Sequence, residues 1–207
     1  MKPEEIESLS FSLIDKEAGA HDFSPEQWNI VRRMIHTSAD FEYMKTVRFH
    51  SRAIEAGLDA ICSGKTIVTD TEMARSGIRK KDAARFGSQV VCLMGEEKVA
   101  ILAKKSGQTR ARAAVDAAVP LMKNGIYVIG NAPTALLRLM ELVKEKMAEP
   151  ALVVGLPVGF VNAAESKAEL IKTDLPFISN TGRKGGSNIA AAVVNALLIM
   201  ALEQRLK

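Results

Sequence analysis

From residue 66 to residue 179 the chain repeats one pattern: a short, continuously apolar run followed by a longer stretch of helical character. The runs are Thr66-Ile67-Val68-Thr69-Asp70, Ser88 to Met94 with Val90, Val91 and Leu93, Ile126-Tyr127-Val128-Ile129, Ala151-Leu152-Val153-Val154 and Pro176-Phe177-Ile178-Ser179. A strand that is apolar at every position, rather than at every second one, is covered on both faces. Helices between such strands supply the crossovers that parallel pairing needs. The expectation is an α/β fold of three αβα layers, with a mostly parallel central sheet of about five strands flanked by helices. No linker, repeat or low-complexity segment interrupts 207 residues, so residues 1–207 read as one domain.

Helix signals fill the remaining chain. Pro3 to Ala18 reads as a first helix with Ile6, Leu9 and Ile14 on one side and Gly19 as its stop. Ser24-Pro25-Glu26-Gln27 then opens a second: a hydroxyl to cap, proline where its missing N–H costs nothing, and Gln27 placed to reach back. Trp28, Val31 and Ile35 form its core stripe. Further helices are expected over Thr46 to Ser63, Gln108 to Lys123, Asn131 to about Met147, from Asn162, which can cap with Glu165, and from Ser187 onward. The run Ile189 to Leu202, interrupted by Asn195, is short for a bilayer span and reads as a buried or interfacial helix.

Composition narrows the partners. A net charge of +4 suits an anionic ligand. Scattered positive charge and 5% aromatics argue against nucleic acid. Cys62 and Cys92 form no ligand set with histidine and read as buried thiols in a reducing compartment, so no protein-held metal is expected. The acidic, polar Met1-Lys2-Pro3-Glu4-Glu5 does not read as a signal peptide, which points to a cytoplasmic, non-membrane protein.

Among three histidines, only His36 lies in a polar cluster, Thr37-Ser38-Ala39-Asp40, at the end of an amphipathic helix. There the unpaired carbonyls favour the imidazolium, a proton donor near neutral pH. The same position also suits a capping histidine without chemistry.

In a parallel sheet, ligands sit beyond the carboxyl ends of the strands. Here those ends carry Thr69-Asp70-Thr71-Glu72, Gly130-Asn131-Ala132-Pro133-Thr134, Gly155 to Phe160, and Thr181-Gly182-Arg183-Lys184-Gly185-Gly186-Ser187. The last places Arg183 and Lys184 between glycines that let a ligand approach the backbone. It lacks the GxxxxGK[ST] spacing, and no GxGxxG follows the first strand, so nucleotide binding is unsupported. Arg110 and Arg112 read either as carboxylate clamps or as solvated arginines at a helix start.

Taken in order, several stretches resemble the precorrin-8X methylmutase family of cobalamin biosynthesis. They are Arg33 to Phe41, Thr69-Asp70 with Met73 and Gly77-Ile78, Thr109-Arg110, Gly130 to Leu136, Pro157 to Val161 with Ala164-Glu165-Ser166-Lys167, and Gly182 to Ser187. The resemblance implies an isomerase that moves a methyl group from C-11 to C-12 of the corrin-forming macrocycle by a 1,5-sigmatropic shift, with no cofactor. It implies His36 as general acid. Arg110, Arg183 and Lys184 would meet the carboxylates of the corrinoid substrate, and Thr69, Asn131 and Ser187 would add hydrogen bonds or helix N-termini. It also implies a homodimer, with the C-terminal helix and Tyr43 to Phe49 as contact surfaces. The competing function is a corrinoid-binding paralogue without turnover.

Overall fold

The computed structural model describes residues 3–206, and the structural statements that follow refer to them. One sheet contains β1 (Val47–Phe49), β2 (Ile67–Thr69), β3 (Val90–Cys92), β4 (Ile126–Ile129), β5 (Leu152–Gly155) and β6 (Phe177–Asn180), in the spatial order β1-β6-β5-β4-β2-β3. Strands β2 to β6 pair in parallel, as expected from their largely apolar sequences. Chain order reverses at β2: β3 lies on one side of it and β4 on the other. Such a reversal opens a crevice at the carboxyl ends of β2 and β4.

The sixth strand corrects the expectation of about five. The segment Thr46 to Ser63 is not one helix: β1 runs antiparallel to β6, with Val47 opposite Asn180, and only afterwards does α4 (Ala53–Cys62) begin. Three residues are too few to display a period of two, so this strand is set by pairing and not by pattern.

Alternate residues of each central strand supply two separate cores. Ile67, Ile126, Val128, Leu152, Val154 and Ile178 face one side, where α4, α5 (Glu72–Gly77), α6 (Lys80–Ala84) and α11 (Ser187–Arg205) pack. Val68, Tyr127, Ile129, Val153 and Phe177 face the other, covered by α7 (Glu97–Ser106), α8 (Arg110–Ala118), α9 (Pro133–Lys144) and α10 (Ala163–Ile171). On the first side the helices lie two deep. Helix α2 (Pro25–Ser38) rests on α11, and α1 (Pro3–Ala18) rests on α2; the short α3 (Tyr43–Thr46) follows.

Local chemistry explains the element ends. Ser24 Oγ accepts from Gln27 N–H while Gln27 Oε1 accepts from Ser24 N–H, the reciprocal cap expected for α2. Pro120 falls in a 3₁₀ turn, Val119–Leu121, that ends the helix expected to run on to Lys123. Helices α6 and α7 occupy stretches without a strong sequence signal.

Several expectations change. Asn162 adopts a left-handed conformation with φ 59° and its side chain makes no cap, since a capping side chain reaches the first turn from extended backbone. Cys62 is exposed and Cys92 half-buried, so Cys62 is no core thiol; it lies on the outward side of α4. On α1 only Ile14 is buried, whereas Ile6, Leu9 and Leu13 are 54%, 48% and 58% exposed, since a helix resting on a single neighbour buries one narrow stripe. Helix α11 has 19 residues and is long and apolar enough to cross a membrane, but 67% of its most apolar window is buried inside the domain. It is a core helix, and its apolar surface is already covered by its own chain.

Candidate active site

Asp70 stands at the end of β2, in the crevice, and it is 2% exposed. Its carboxylate accepts backbone N–H bonds from Gly130 at 2.9 Å, Asn131 at 2.9 Å and Ala132 at 2.8 Å. Burial pushes its carboxyl above the usual range, against the pull of those three donors. The β4–α9 loop is thereby shaped around one side chain of β2. Asn131, at the crest of that loop, remains exposed.

Neighbouring loops are tied on in the same way. Thr69, 2% exposed, donates its hydroxyl hydrogen to the Thr71 carbonyl at 3.0 Å, so it holds the β2–α5 turn from below. Thr71 Oγ1 and Ser187 Oγ lie 2.8 Å apart, joining that turn to the start of α11. A Cβ on Gly130 would lie 2.5 Å from Ser187 Cα, so this crossing of β4 and α11 has room only for glycine. Thr109, the cap of α8, donates to Thr134 Oγ1 at 3.3 Å, which fixes the helix start that carries Arg110 beside the Asn131 loop.

The 181–186 loop is held at its main chain. Thr181 N–H donates to Thr46 O, Gly159 N–H to Arg183 O and Gly186 N–H to Leu156 O, at 2.9, 3.1 and 2.9 Å. Beneath it lies Lys167, wholly buried, donating to Asn180 Oδ1 at 3.0 Å and to Lys184 O at 2.6 Å. Burial lowers its pKa to about 8. Arg183 is exposed with its guanidinium 5.5 Å from the centre of the Phe160 ring.

Lys184 does something other than wait for a ligand. Its Nζ pairs with Asp40 at 2.5 Å and Glu42 at 2.7 Å, which raises its pKa and lowers that of Asp40. Through Asp40 it joins the last loop to the segment after α2. His36 occupies the last turn of α2, exposed, its Nδ1 2.8 Å from Ser10 Oγ and its ring edge-on to Phe11 at 5.2 Å. That bond leaves Nε2 as the outward ring nitrogen.

Of the residues singled out from sequence, the fold thus gathers Thr69, Asn131, Arg183, Lys184 and Ser187 in bonded loops at one end of the sheet. Arg110 joins them through Thr109, and His36 through the Asp40–Lys184 pair. Arg110 and Arg183 form no ion pair among the described residues, while Arg112 is bidentate to Glu141 at 2.7 and 3.1 Å. Asp70, Lys167 and Ser10 went unrecognised as organising groups. The Asp70 strand end was a usable signal; buried lysine and cross-helix serine had none.

Comparison with known proteins decides what this site belongs to. Residues 5–200 match the precorrin-8X methylmutase family model. The chain belongs to the precorrin-8X methylmutase family. A cobalt-precorrin-8 methylmutase from Priestia megaterium is 47% identical over 97% of this chain and 89% of its own length. A precorrin-8X methylmutase from Pseudomonas aeruginosa is 36% identical over 91% of each. The crystal structure of the precorrin-8X methylmutase from Thermus thermophilus superposes with a TM-score of 0.91 at 44% identity, covering 97% of both chains. Relatives in this precorrin-8X methylmutase family are named for either cobalt-precorrin-8 or precorrin-8X.

Proposed function

We propose that this chain is a methylmutase acting on precorrin-8X or its cobalt form. It moves the methyl group from C-11 to C-12 by a 1,5-sigmatropic shift in cobalamin biosynthesis. The observation that carries the reading is His36 fixed at a helix end with Nδ1 on Ser10 and Nε2 outward. As an imidazolium, His36 donates Nδ1–H to Ser10 Oγ and keeps Nε2–H for the substrate, returning to the neutral imidazole once that proton is transferred. Nε2 gives a proton to the tetrapyrrole, which draws electron density from the ring system and eases migration. Because the product is an isomer of the substrate, that proton returns to His36 afterwards, and no cofactor is required.

The substrate carries several carboxylates. Arg110 and Arg183, both exposed and without an ion-pair partner among the described residues, suit bidentate pairing with them. Asn131 and the backbone at Ser187 supply hydrogen-bond donors. Thr69 shapes the turn beneath, and Lys184 orders the loop while it is engaged by Asp40 and Glu42.

The active form is a cytoplasmic homodimer without nucleic-acid or membrane partners. Apolar residues left exposed by the single chain support a second copy: Ile6, Leu9 and Leu13 on α1, with Met73, Phe160 and Val161 around the loops, the last two 84% and 78% exposed.

Anaerobic incubation with precorrin-8X and with its cobalt form, followed by absorbance, tests the chemistry. The intact protein converts one of them, and His36→Ala still binds corrinoid but turns over at least about 100-fold more slowly. Unchanged turnover in His36→Ala refutes the general-acid role. Corrinoid binding without turnover by the intact protein would establish the paralogue instead.

A further inference from the structure

We propose that Lys167 is a positioning residue that aims Arg183 at a substrate carboxylate, by gripping the main chain of the loop from beneath. The proposal rests on the methylmutase reading only in taking Arg183 as a carboxylate clamp.

Lys167 lies on the buried face of α10, wholly inaccessible, and among the described residues it forms no ion pair. A buried ammonium without a counter-charge is costly and is retained only where its donors are used. Two of its three donors are used on one structure. Nζ donates to the carbonyl of Lys184 at 2.6 Å and to Asn180 Oδ1 at 3.0 Å. Asn180 in turn donates Nδ2 to the same Lys184 carbonyl at 3.0 Å and to Thr181 O at 3.1 Å. Lys167 and Asn180 therefore saturate one carbonyl, the one immediately after Arg183.

The carbonyl of Arg183 itself accepts from Gly159 N–H at 3.1 Å. Two successive peptide units are thus pinned from below. Their side chains are then sent apart: Lys184 to Asp40 and Glu42, Arg183 outward over Phe160. A Cβ on Gly185 would lie 2.2 Å from Leu156 O, so the chain leaves this grip pressed against the β5 loop. Without the lysine amine, the Lys184 carbonyl keeps only Asn180, and Asn180 loses the partner that orients its amide. The guanidinium then samples more directions, and the cost falls on binding.

The test is a double-mutant cycle on the full chain, with steady-state conversion of the accepted corrinoid substrate. Lys167→Met keeps the side-chain length and removes the donors; Arg183→Ala removes the clamp. Lys167→Met is expected to raise KM roughly tenfold with kcat changed less than about twofold, and to add nothing in the Arg183→Ala background. Additive effects in the double variant overturn the proposal, since a general loss of structure would not depend on Arg183. So does a fall in kcat without a rise in KM, or a silent Lys167→Met beside an affected Arg183→Ala. A silent Arg183→Ala refutes the clamp itself together with the proposal. If Lys167→Met does not fold, Asn180→Ala, which weakens the grip on the same carbonyl, carries the same prediction.

Discussion

Asp70 and Lys167 are two buried ionisable side chains that hold the loops above them by hydrogen bonds to the main chain. Asp70 holds three backbone N–H groups. In Asp70→Asn, the Nδ2 group replacing one oxygen would confront N–H donors, leaving at least one buried amide unpaired. The expected loss is about 1–3 kcal/mol, read from the urea midpoint. Lys167 yields a pH prediction with a definite sign. Its folded pKa, about 8, lies below the 10.5 of the unfolded chain, so between these values the unfolded state binds more protons. This group's contribution to stability therefore rises with pH from about 8 to 10.5. Urea titrations across that window should show the rise in the intact protein and its loss in Lys167→Met. The neutral amine keeps two N–H donors, enough for both of its carbonyl partners. The position of Asp70 at a strand end was legible in the chain but its three amide partners were not, and a lysine on a helix looks the same whether solvated or enclosed.

At the level of elements, strands and helices come together at a few contacts where a side chain does not fit. Gly130 is one, where β4 ends against the first residue of α11. Gly130→Ala would push the main chain of Ser187 away, and relaxation is limited by the Asp70 bonds on the other side of the loop. A loss of about 1–3 kcal/mol or more is expected, with reduced corrinoid binding, checked by thermal unfolding and by absorbance titration. The second helix was readable in its proline, its capping box and the Val31 and Ile35 of its stripe, both buried; Trp28 is only half-buried, and Ile30 and Met34 are buried in addition. Strand β1 was not readable, because its partner lies 129 to 133 residues away and its own three residues carry no period. Helix α10 was readable in position but not in its cap, since Asn162 is left-handed and not extended.

For the whole molecule, exposed apolar residues on α1 are the main surface the single chain leaves unexplained. Light scattering is expected to give twice 22.4 kDa for the intact protein. The double variant Leu9→Glu with Leu13→Glu should return the mass to that of one chain with unchanged far-UV circular dichroism, because these side chains do not enter the core. A mass unchanged by the double variant would remove α1 from the interface. Of the two surfaces named from sequence, α11 is mostly enclosed, whereas in Tyr43 to Phe49 the side chains of Tyr43 and Val47 are buried and those of Lys45 and Arg48 are exposed beside the edge strand β1.

The sequence by itself determined the α/β class, the parallel sheet and the polar loops at the carboxyl ends of its strands. These depend on which residues avoid water and on local backbone preferences, and both are written in short windows. The ordered motifs also led to the family. Tertiary structure alone decided the sixth strand, the engagement of Lys184 by Asp40 and Glu42, the choice between a buried and an interfacial α11, and the use of Asp70 and Lys167 as internal props. Each of these depends on groups distant in sequence meeting at hydrogen-bond range, and a charged side chain carries no local mark of the partner it will find.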